Sequence, residues 1–90
     1  FSPTPIKISL ASASLPRALP LLEELGQEAL YLLPDLIEPW RVISETGALG
    51  QTTELTLLAK AAFGKGAELR PKLLALIQER LVEVGIELVS

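Results

Sequence analysis

The chain has 90 residues, 49% of them apolar and only 4% aromatic, with 20 leucines, a net charge of −3 and no Cys, Met or His. That length supports one domain with one small core, and the apolar fraction excludes an intrinsically disordered chain. Without Cys or His there is no disulfide framework, no thiolate or imidazole metal site, no Ser-His-Asp triad and no histidine base.

Chemistry is left to carboxylates, Lys, Arg, Tyr and hydroxyls. Asp35 is the sole aspartate, and the glutamates are scattered. The eight Lys and Arg are spread along the chain rather than gathered into a basic face, which argues against nucleic-acid binding. The longest uncharged stretch, Ile8 to Pro16, is nine residues, against the ~20 a membrane-crossing helix needs. Phe1 at the start suggests a domain excised from a longer chain.

In chain order, Ile6-Lys7-Ile8-Ser9-Leu10 alternates with period two and predicts a short strand with Ile6, Ile8 and Leu10 inward. Ser14 is placed to cap a helix over 16–33, whose leucines and alanines, with Gly26, cover half the cylinder at 100° per residue. Glu23, Glu24, Gln27, Glu28 and Tyr31 fall on the other half. Pro34 ends this helix, and Asp35 with Glu38 resembles a capping box for a second over 36–46, bent at Pro39 and closed by Gly47.

Residues 53–63 read as a third helix, apolar almost all round apart from Glu54, Thr56 and Lys60, and hence central. The sequence Gly64-Lys65-Gly66 predicts a turn. A last helix over 67–84 follows, capped by Gly85, and Ile86–Val89 is a second short strand candidate. The expected fold is a mainly α, single four-helix domain spanning 1–90, with a short candidate β-strand at each terminus.

Three features invite a functional reading. The segment Gly47 to Thr53 is glycine-bearing but lacks the lysine a phosphate loop requires, since Gln51 stands in its place. The acidic strip of Glu23, Glu24 and Glu28 reads as a solvated helix face. Arg80 lies inside the apolar stripe of the last helix, where a cation snorkels, pairs with a carboxylate such as Glu83, or faces a partner.

No cofactor is implied. The expected function is a non-catalytic protein–protein interaction or oligomerisation module whose seam is Leu73, Ile77, Arg80, Leu81 and Val84. Its partner would be another protein, a second copy, or the rest of a parent chain. The alternative is a carrier of a small apolar ligand, such as an acyl chain, in a Leu-lined cavity between helices.

Overall fold

The computed structural model describes residues 2–47 and 51–89. The chain runs through β1 (Ser2–Ala11), a 3-10 turn (Ser12–Ser14), α1 (Leu15–Leu32), β2 (Leu36–Gly47), β3 (Thr52–Ala61) and α2 (Gly66–Glu83). The strands form one sheet in the order β1-β3-β2, with β3 antiparallel to both neighbours. β1 and β2 are therefore parallel, linked through α1 with β3 inserted between them, which is a split β-α-β unit.

This α+β architecture corrects the four-helix expectation: the two segments assigned to the middle helices are β2 and β3. Residues 52–61 alternate in burial. Thr53, Leu55, Leu57, Ala59 and Ala61 are buried, while Glu54 is exposed and Thr56, Leu58 and Lys60 are half-buried. A strand near ten residues long whose inward side chains are Leu and Ala, with Leu58 among the outward ones, imitates a buried helix. Leu58 and Ala62, expected in the core with Leu55, are only half-buried.

In β2 the pairing with β3 slips three times, between Leu36/Glu38, Glu38/Arg41 and Val42/Ser44, so the period of two is broken. Pro39 is tolerated there because β2 lies at the edge of the sheet. The resemblance of Asp35 and Glu38 to a helix cap is incidental. Asp35 sits in the turn before β2 and its carbonyl accepts from Ala62 N–H at 2.8 Å, while Gly47 ends a strand. Of the glycine-bearing segment, residues 48–50 lie outside the described residues.

Of the remaining elements, α1 and α2 match the sequence reading to within one residue at each end, β1 starts four residues earlier than expected, and Ile86–Val89, expected as a second terminal strand, is irregular and lies outside the three-stranded sheet. β1 buries Ile6, Ile8 and Leu10 and extends to Ser2. α1 buries Ala18, Leu22, Leu25, Gly26 and Ala29. Ser14 is its N-cap residue but makes no side-chain cap bond. Pro20 and Pro71 each occupy the sixth position of their helices, past the first turn, so the carbonyls of Pro16 and Ala67 lose their intrahelical partners. Burial of the leucine faces must offset that loss.

α2 ends in a complete Schellman motif. Ile86 N–H donates to Leu81 C=O at 2.9 Å and Gly85 N–H to Val82 C=O at 2.9 Å, with Gly85 at φ 80°. Leu81 and Ile86 supply the accompanying apolar pair, both buried.

Both helices pack on one face of the sheet. Ile6, Ile8 and Leu10 meet Leu55, Leu57 and Ala59 there, under Leu22 and Leu25 of α1 and Leu69, Leu73, Ile77 and Leu81 of α2, in a single core. The opposite face carries Pro3, Pro5, Lys7, Glu54, Thr56 and Lys60 and stays open to water, as antiparallel sheets permit. Lys60 Nζ and Glu38 Oε2 pair across that face at 3.2 Å.

Candidate functional site

The seam expected on α2 divides in two. Leu73, Ile77 and Leu81 are fully buried, and the surface they cover is the protein's own sheet and α1. Val84 is 39% exposed, and Arg80 is drawn into an ion pair that also reaches α1.

Arg80 Nη1 and Nη2 donate to Glu28 Oε2 and Oε1, both at 2.8 Å, and Arg80 Nε lies 3.4 Å from Glu83 Oε2. The Glu83 partner is three residues on along α2 and was legible as such. Glu28 comes from α1, so the guanidinium fork clasps the two helices side by side over the core.

The hydrogen bonds from Arg80, aided by its charge and opposed by partial desolvation, hold the Glu28 carboxyl below its ordinary value of 4.5. The guanidinium is in turn held further up by Glu28, despite desolvation. A depressed carboxylate contributes stability that is present above its unfolded pKa and is lost as pH falls through the folded one. Melting temperatures of wild type and Glu28→Gln should therefore differ at pH 7, begin to draw together in the unfolded carboxylate range at about pH 4, and converge only below the depressed folded-state value. Two curves that stay parallel would show that the clasp adds nothing. The effect is small because both side chains remain part-exposed.

A cleft of about 550 Å³ opens between α1 and β2, with Glu23 and Gln27 on one wall and Pro39, Trp40, Arg41 and Val42 on the other. Its floor is set by a close approach. The Trp40 indole lies against Gly26, where a Cβ would meet Cε2 and Nε1 at 3.4 Å, and Trp40 Nε1 donates to Leu22 C=O at 3.0 Å. Gly26 is thus the seat of the only Trp, which pins β2 to α1. The cleft is open, and half of its lining residues are charged or amide-bearing, unlike the Leu-walled cavity an acyl carrier needs.

The largest exposed apolar groups gather at the end of the sheet where α1 turns into β2 and β3 leaves for α2. Tyr31 is 90% exposed and Phe63 89%, accompanied by Leu32 and Ile37. Two turn bonds hold this end together, Leu36 N–H to Leu33 C=O at 3.0 Å and Ala62 N–H to Asp35 C=O at 2.8 Å. The sequence reading placed Tyr31 on the exposed side of its helix. It missed Phe63, because a central helix would have buried it.

Among the described residues no cluster of three acidic groups could hold a metal ion, and the buried polar side chains are threonines, Thr4 and Thr53. Thr53 Oγ1 shares a 2.7 Å hydrogen bond with Ser12 Oγ. The chain matches no protein-family model, no curated protein and no solved structure.

Proposed function

We propose that this domain is a non-catalytic protein–protein interaction or oligomerisation module, and that its contact surface is the apolar end formed by Tyr31, Leu32, Ile37 and Phe63. The observation that carries this reading is the near-complete exposure of Tyr31 and Phe63, half of the chain's four aromatic residues, at one end of the sheet. Aromatic side chains bring large area at low entropic cost and dominate the energetics of protein interfaces, so leaving two of them in water favours a partner that covers them.

The partner is a second copy of the chain, meeting the same end isologously. Sedimentation equilibrium of wild type and of Tyr31→Glu/Phe63→Glu tests this. Wild type should self-associate, and the double variant should stay monomeric, its affinity weakened by at least about 100-fold, as expected when two anchors are lost, with the melting temperature of wild type when both are compared at a dilution where wild type is monomeric. Association that survives the double substitution, or a wild type that is monomeric at millimolar concentration, would overturn it.

A further inference from the structure

The segment after α2 carries an independent signal. Ile86 is 2% exposed and belongs to the core, Leu88 packs against that core, and Glu87 and Val89 point to solvent. That is the alternation of a strand with one buried face. Val89 N–H donates to Ser9 C=O at 2.7 Å, on the edge of β1 away from β3.

The backbone polarity of β1 fixes what this edge can accept. In an antiparallel strand the N–H and C=O of one residue point to the same side, and successive residues alternate. Since the Ser9 carbonyl faces outward, Lys7, Pro5 and Pro3 face outward with it. Pro3 and Pro5 have no N–H to offer, so complete two-way rungs are available only at Lys7, Ser9 and Ala11. The receiving stretch is short and lies towards the end of β1, where α2 delivers the chain through Gly85.

We propose that the outer edge of β1 from Ser9 to Ala11 is a strand-receiving site. Its occupant is this chain's own segment Ile86–Val89, docked antiparallel as a fourth strand in the order 86–89, β1, β3, β2. Ile86 and Leu88 supply the apolar grip and the Val89–Ser9 bond is the first rung. The latch has a further consequence for association. With two prolines on the lower half of this edge, and bulges and Pro39 on β2, neither edge offers a long row of free amides to another chain. Self-association is thereby steered away from the strand edges.

Amide hydrogen exchange on the full chain, followed residue by residue by NMR, tests the proposal. The amide of Val89, which donates to Ser9 C=O, should be protected in wild type, independently of protein concentration. In Leu88→Asp, which weakens the apolar grip, the Val89 amide should exchange at least about tenfold faster, while Ile6 and Ile8, whose amides face β3, keep their protection and show that the sheet is intact. Free exchange of Val89 in wild type, or protection that Leu88→Asp leaves unchanged with Ile6 and Ile8 still protected, would overturn the latch. Protection that appears only at concentrations where the chain is dimeric would overturn it too, by showing that the strand comes from a second copy. Because this readout is Val89 exchange, its failure is distinct from failure of the association at Tyr31 and Phe63.

Discussion

Leu57→Asp should abolish folding, whereas Leu58→Asp, one residue further on, should leave a folded protein. Leu57 is fully buried in the central strand, paired with Ile6 on one side and Val42 on the other, beneath the helices. A carboxylate forced into that row has no partner, and an unpaired charge in a core costs several kcal/mol against a total stability of about 5–15 kcal/mol. Leu58 points to the opposite, open face, between Pro5 and Arg41. A carboxylate there stays hydrated and faces a guanidinium across the strand, a cross-strand pair of roughly 0.2–1 kcal/mol that offsets part of the lost apolar contact. Circular dichroism and thermal melts of the two variants decide the matter. If Leu58→Asp unfolds the chain and Leu57→Asp does not, the period of two through β3 is wrong.

That pair of residues also shows where the sequence was readable and where it misled. The residues that interrupt the apolar run of β3 are Glu54, Thr56 and Lys60, all of one parity, with Leu58 the single exception. The alternation was therefore present. It was masked because the inward side chains are Leu and Ala, the strongest helix formers, and because the run is as long as a short helix. In β2 the signal was weaker, since three register slips remove the period and Pro39 reads as a helix kink.

The helices were legible because their faces are wide and their ends carry unambiguous chemistry: Gly64 at φ 77° before α2, and the Schellman glycine after it. For Arg80, the sequence showed a cation inside an apolar stripe but not its main partner. Glu28 lies 52 positions away on a helix whose polar side looked fully solvated, and only the packing of α1 beside α2 brings the two together.

Ile77→Lys should also unfold the protein. On an exposed seam this substitution would leave the helix intact and merely repel a partner. Ile77 is instead fully buried, flanked by Leu73 and Leu81, which are equally buried, so a lysine at that position cannot carry its ammonium to water without pulling α2 off the sheet. The desolvation of an unpaired ammonium is again several kcal/mol, added to the roughly 2–5 kcal/mol that removal of a buried Ile side chain costs by itself. Val82→Lys is the matched control: Val82 is 53% exposed on the other side of α2, and its replacement should shift stability by no more than about 0.5 kcal/mol. Denaturant melts of both variants, read beside their sedimentation, separate the two roles of the helix. Loss of helix signal in Ile77→Lys with a native-like Val82→Lys assigns the Leu73, Ile77 and Leu81 row to the core. An Ile77→Lys chain that stays folded would mean that α2 presents this row to a partner instead of to its own sheet.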